Sequence, residues 1–190
     1  SRDWSSDVCS SDLEVLQLLN MHAPDISVED YLRVIRYKTA KLFEASARIG
    51  AVLSGSDATL EAACAAYGQA LGTAFQIADD LLDYEGSTAE LGKNVGDDLR
   101  EGKPTLPLLA AMSRGTPEER ELIRHAIEHG EVERLEEIIA VVRRTGALDV
   151  TREAAHAEAR RAREHISALP PSQFKEALLR LTVLAVDRTS

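Results

Sequence analysis

Aromatic residues make up only 4% of this 190-residue chain, which has two cysteines and six prolines. Two cysteines, Cys9 and Cys64, make no disulfide framework, so the small secreted scaffold class is excluded and a reduced, cytoplasmic setting is the default. Cys64 falls on an apolar helical face and reads as a small buried hydrophobe. No apolar run approaches the ~20 residues of a membrane-spanning helix, so no transmembrane span is expected. Positive charge is scarce: 22 Lys and Arg stand against 32 Asp and Glu, a net charge of −10. That balance argues against nucleic acid or an anionic membrane surface as partner. An anionic small molecule remains admissible, because a bound cation can reverse the local sign. Phosphate-loop, nucleophile-elbow and zinc patterns are missing. The five histidines form no convincing metal cluster. His125 and His129 are four apart near a helix C-terminus, where an imidazolium is favoured.

What is present, 44% apolar and 28% charged residues, suits one globular domain with a sizeable core. Strand periodicity is absent, and the expected class is all-α, a helical bundle with short links between antiparallel neighbours. Residues 1–13, SRDWSSDVCSSDL, lack any helical period and any signal-peptide pattern. They resemble translated sequencing-adaptor read-through and are expected to be a non-native tail, with residues 14–190 forming the helical domain. Residues 14–20 read as the end of a helix that starts upstream. Ser27 is the expected N-cap of the next helix, with Ile26 stapled against Tyr31, and that helix runs to about Gly50. Residues 54–57, Ser-Gly-Ser-Asp, cap another that runs to about Tyr84. Residues 85–103 read as a glycine-rich loop or short turns. A short apolar helix begins at Pro104 and Pro107 and reaches Met112. Thr116 and Glu119 form a capping box around Pro117, and later helices end at Gly130, at Gly146 and before Pro170. Ser172 begins the last.

The informative stretch is residues 67–83, YGQALGTAFQIADDLLD. At about 100° per residue, Gly68, Gly72, Gln76, Asp79, Asp80 and Asp83 share one stripe, while Leu60, Cys64, Tyr67, Leu71, Phe75, Ala78 and Leu82 form the expected packing face. Three carboxylates near a helix C-terminus oppose the macrodipole, and Asp79 repels Asp83 at i, i+4. A hard divalent cation such as Mg²⁺ would explain them, with Asp79, Asp80 and Asp83 as ligands. A solvated acidic helix end is the plain alternative. Gln76, one turn earlier, can donate to a phosphate oxygen or orient a carboxylate. Gly68 and Gly72 permit close approach by another helix or by a ligand.

The run FQIADDLLDY followed by GKNVGDDLREGKPTLPLL resembles the second aspartate-rich region of trans-isoprenyl (polyprenyl) diphosphate synthases, closest to the bacterial long-chain kind, and the likeness extends from Glu14 to about Asp187. The resemblance implies the isoprenoid synthase fold and a condensation of isopentenyl diphosphate with an allylic prenyl diphosphate, assisted by Mg²⁺. It implies that Lys38 and Thr39 lie beside the leaving diphosphate and the carbocation. Lys93 and Lys103, with Gln76, are then diphosphate contacts, and Asp97 and Asp98 assist the metals through water. It also suggests a homodimer. The family has two aspartate-rich motifs, whereas one DDxxD occurs here. The chain is therefore expected to be a C-terminal portion, inactive alone, with exposed apolar surface where missing helices would pack. The alternatives are a non-catalytic partner subunit of a prenyl synthase, another ionisation-type terpenoid synthase, or a bundle with an incidental acidic end.

Overall fold

The computed structural model describes residues 21–85 and 96–187. The expected tail at 1–13, the helix end at 14–20 and Lys93 lie outside them. Among the described residues every regular element is helical.

Local chemistry sets most boundaries. The Ser27 hydroxyl accepts the amide of Asp30 at 3.0 Å and opens α1, Val28–Ile35. The backbone continues without a break through a π-helical turn, Arg36–Ala40, into α2, Lys41–Leu53. The single helix read from the sequence is thus continuous but carries a widened turn, and that turn contains Lys38 and Thr39. Such turns break the regular register and recur at functional sites. Asp57 accepts the Leu60 amide at 2.8 Å at the start of α3, Ala58–Glu85.

Within the expected loop lies a four-residue helix, α4, Asp97–Arg100, entered through left-handed Gly96. Then follow α5, Leu106–Arg114, and α6, Pro117–His129. The Thr116–Glu119 capping box forms in both directions, at 3.3 and 2.9 Å. After α7, Leu135–Arg144, and α8, Ala147–His165, Ser172 caps α9, Gln173–Leu184.

α3 is the central helix, flanked by α2 and α8. Its expected division into a polar stripe and a packing face is corrected here. Gly68 and Gly72 are buried, Phe75 and Leu82 are only half-buried, and Ala70, Thr73, Ala74, Ile77, Leu81 and Tyr84 form further buried sides. A helix wrapped on several sides has no single apolar stripe. The two glycines serve close helix packing. A Cβ on Gly68 would stand 2.3 Å from the Phe43 carbonyl oxygen, and one on Gly72 would stand 2.6 Å from the Ala40 Cα. On its other side α3 meets the alanine-rich face of α8, with Ala155, Ala159 and Ala162 buried. Large apolar side chains remain exposed on α2 and α9, Leu53 at 82% and Phe174 at 73% among them.

The packing generates a paired test. Gly68→Ala forces backbone against backbone and should lower the unfolding free energy by about 1–3 kcal/mol in urea titrations. Gly50→Ala, an exposed helix position with nothing within 4 Å of a new Cβ, should raise it by up to ~1 kcal/mol.

Candidate active site

Tyr31, Ile35 and Lys38 recur along the α1–π segment at helical spacing and face the acidic end of α3. They line one pocket together with Gln76, Asp80, Asp98, Lys103 and Thr105. Its apolar wall comes from Met21, Ile26, Val34 and Pro104. The structure therefore brings Lys38, Gln76, Asp80 and Lys103 together around a single cavity.

The centre of the site is Asp80, 4% exposed. The Tyr31 hydroxyl donates to its Oδ2 at 2.6 Å, and the Gln76 amide donates to its Oδ1 at 2.8 Å. The Thr39 hydroxyl donates to the Gln76 carbonyl oxygen at 2.9 Å, which sets the amide so that its NH₂ faces Asp80. Thr39 from the π turn, Gln76 and Asp80 from α3, and Tyr31 from α1 thus form one chain of bonds. Burial pushes the Asp80 carboxyl up to about 7, and the neighbouring Asp98 adds to the effect against the two hydrogen bonds.

Asp83 has a structural task. Its two carboxylate oxygens accept the backbone amides of Asp97 and Asp98 at 3.3 and 3.2 Å, so it caps α4 from another helix and ties the loop to α3. Burial, with Asp98 second, raises its carboxyl to about 6 despite those amides. Asp98 itself accepts Lys103 Nζ at 2.9 Å, and Lys103 also pairs with Glu101 at 2.7 Å. Burial pulls the Lys103 ammonium down, but Glu101 and Asp98 outweigh it and hold it above its ordinary value. Asp97 pairs with Arg100 on the loop's outer side. Asp79 is half-buried and does not line the pocket.

Tyr31 and Asp98 were not read from the sequence as central. Tyr31 sits two turns before Lys38, and that spacing was the available signal. The pairing of Asp98 with Lys103 needs the turn at Gly102, which pattern alone does not specify. Away from the pocket, the ligand atoms of His125, Glu128 and His129 on α6 come within 4.8 Å of one another, a grouping not read from the sequence. There Glu128 already accepts Arg124 at 2.9 Å, and His129 Nδ1 bonds the His125 carbonyl.

The raised carboxyls fix the sign of a pH effect. Asp80 and Asp83 bind protons more tightly in the folded chain than in the unfolded one, where 3.8 is the reference. Their contribution is fully present below about pH 4 and is lost as pH rises through 6 to 7. Metal-free protein should therefore melt at a lower temperature at pH 8 than at pH 5.5, with Asp80 worth on the order of 2 kcal/mol. Asp80→Asn should raise the melting temperature at pH 8 and flatten the profile in a calorimetric pH series.

The Polyprenyl synthetase family profile matches residues 8–142. Over 176 residues the chain is 50% identical to octaprenyl diphosphate synthase of Escherichia coli (strain K12), covering 92% of this chain and 54% of that protein. It is 45% identical to the all-trans-nonaprenyl-diphosphate synthase (geranyl-diphosphate specific) of Rhodobacter capsulatus, over 98% of this chain and 58% of that one. Among solved structures, the polyprenyl synthase of Caulobacter crescentus CB15, complexed with calcium and isoprenyl diphosphate, matches with a TM-score of 0.87 at 42% identity. That match covers 95% of this chain and 56% of the other. The chain thus spans about half the length of the curated relatives it matches. With the family profile over most of its length and these identities, the chain belongs to the polyprenyl synthetase family.

Proposed function

We propose that this chain supplies the diphosphate- and metal-binding half of a long-chain polyprenyl diphosphate synthase, which condenses isopentenyl diphosphate with an allylic prenyl diphosphate. The observation that carries this reading is the convergence of Lys38, Gln76, Asp80 and Lys103 on one pocket, with Thr39 bonded to Gln76 from behind. Cations there meet carboxylates beside an apolar wall, which suits a phosphorylated hydrocarbon.

The residues fit Mg²⁺. Asp98 stands close enough to Asp80 and to Asp83 to favour protonation of each, and the oxygens of all three are the hard donors that Mg²⁺ takes. Asp80 and Asp83 would hold it, with Asp79 as a further ligand and Asp98 as support through water. Each carboxylate keeps lone pairs beyond those its present donors use. When bound, the metal supplies Lewis-acid neutralisation of the leaving diphosphate.

The remaining work falls to the chain itself. Lys38 and Lys103 hold diphosphate oxygens as point charges. By the family likeness Lys93 joins them. Gln76 orients Asp80 and keeps one N–H for a phosphate oxygen. Thr39 donates its proton to Gln76, so its oxygen lone pairs remain available to stabilise the allylic cation after the C–O bond ionises. The wall formed by Met21, Ile26, Val34 and Pro104 excludes water that would quench that cation. The homoallylic double bond of isopentenyl diphosphate then attacks, and loss of a proton completes the step.

We assign the exposed apolar faces of α2 and α9 to contacts with further synthase helices or with a second copy, in line with the homodimer implied by the family likeness. Two cysteines and the absence, among the described residues, of a helix long and apolar enough to cross a membrane are in keeping with a cytoplasmic enzyme.

Calorimetric titration with inorganic pyrophosphate should show binding that requires Mg²⁺. Asp80→Asn and the double variant Lys38→Ala/Lys103→Ala should each weaken it about tenfold or more. Pyrophosphate binding that ignores both variants would sink the site assignment. With farnesyl and isopentenyl diphosphates and Mg²⁺, these 190 residues alone should give no prenyl transfer above background, because one aspartate-rich motif is present where the reaction uses two. Turnover would overturn that part.

A further inference from the structure

His22 has a backbone that few residues other than glycine adopt, φ 60°, and it is the one non-glycine residue with positive φ among the described residues. Its surroundings account for the conformation. Its amide donates to the Gly102 carbonyl at 2.8 Å. Its ring Nδ1 lies 3.1 Å from the Ile127 carbonyl, and because a carbonyl only accepts, Nδ1 carries the proton. The ring fills the space left by the missing side chain of Gly102, where a Cβ would stand 2.4 Å from the imidazole. Gly102 is itself left-handed, at φ 67°. Gly130, at the end of α6, completes the seat. A Cβ there would stand 2.7 Å from the Arg100 carbonyl oxygen and 3.7 Å from the His22 ring.

Three segments therefore meet at one imidazole: the chain entering α1, the turn after α4, and the last turn of α6. The turn after α4 is the one that delivers Lys103. The Gly102 amide bonds the Leu99 carbonyl, and the Lys103 amide bonds the Asp98 carbonyl at 2.9 Å. Asp83 secures the front of this loop through the amides of Asp97 and Asp98. His22 secures its back. Met21, adjacent in the chain, lines the same pocket as Lys103 and Asp98.

We propose that His22 is a positioning residue: it locks the Gly102–Lys103 turn against α6 so that Lys103 and Asp98 are presented across the pocket from Lys38 and Asp80. This rests on the reading of the pocket as a diphosphate site, and the test separates the two. It uses the full chain, with Mg²⁺ and inorganic pyrophosphate as probe, and amide hydrogen exchange at 99–103 as a readout independent of any ligand.

His22→Ala should weaken pyrophosphate binding about tenfold, the scale of lost outer-shell support, and should speed exchange at Gly102 and Lys103 while α8 and α9 exchange as before. His22→Asn should restore binding to within about threefold, because Asn tolerates the left-handed region and its amide can replace the ring donor. Gly102→Ala should be less damaging in the His22→Ala background than in the parent, since removing the ring removes the clash. Parent-like affinity and parent-like exchange in His22→Ala would overturn the proposal. So would equal damage by Ala and Asn accompanied by a general rise in exchange. If the parent chain binds no pyrophosphate, the functional reading fails, and the exchange pattern at Gly102 and Lys103 still decides the role of His22.

Discussion

Asp80 is a carboxylate withdrawn from water on the central helix and held by two neutral donors, the Tyr31 hydroxyl and the Gln76 amide. An arginine in either place would have neutralised it and removed the cost of burying an acid. Neutral donors do something different: they fix the direction of the oxygens while leaving most of the negative charge in place. Burial and the facing Asp98 then raise its carboxyl to about 7. The fold thus tolerates a local penalty at the point where the proposed chemistry needs a cation, an example of stability yielding to function. Tyr31, Gln76, Thr39 and the loop around Asp98 are arranged with respect to this one group.

Such an arrangement needs α1 and α3 at a fixed, short distance, and backbone contact provides it. The rod formed by α1, the π turn and α2 lies against α3 where Gly68 and Gly72 remove the side chains that would hold the helices apart. Ala40, closing the π turn, is completely buried in that contact. The widened turn changes the angular position of Lys38 and Thr39 relative to the residues after it. Thr39 therefore reaches Gln76, and Lys38 lines the pocket, while the downstream helix keeps its own packing face. Helix packing and site geometry are the same contact viewed from two ends.

Much of this was legible in the sequence where the cause is local. Ser27, Asp57, Thr116 with Glu119, and Ser172 mark helix starts because a side chain near a helix end bonds a nearby amide whatever the rest of the chain does. The left-handed stops at Gly130 and Gly146 are legible for the same reason. The DDxxD stripe and Lys38–Thr39 were found by pattern and likeness, and the pocket gathers Lys38, Gln76, Asp80 and Lys103. What escaped depends on tertiary placement. A stripe analysis assumes one dry face, so it misplaces the sides of a helix packed on several of them. By sequence, Gly68 and Gly72 suit a ligand or a helix equally, and only the position of α2 against them decides between the two. Tyr31 read as a hydrophobic staple, because its ring indeed packs with the core; only the position of Asp80 gives its hydroxyl a task. His22 had no sequence signal at all, since its partners are 80 and 105 residues away.

The charges of the loop also bear on how an anion could enter. Lys103 is shared between Asp98 and Glu101, and Glu101 is held below its ordinary range first by Lys103 and also by Lys38. Lys38 and Lys103, both assigned to diphosphate, thus already have acidic company, and Asp80, Asp83 and Asp98 stand behind them. A bare diphosphate approaching this pocket meets carboxylates that repel it and cations partly satisfied elsewhere. An anion that arrives with its own divalent cations reverses both terms: the cations relieve the crowded carboxylates, and the lysines gain a more highly charged partner than Glu101. On the proposed reading, the acidity of the site therefore selects a metal-complexed diphosphate over a free one. The same acidity that would exclude most anions becomes the means of recognising this one.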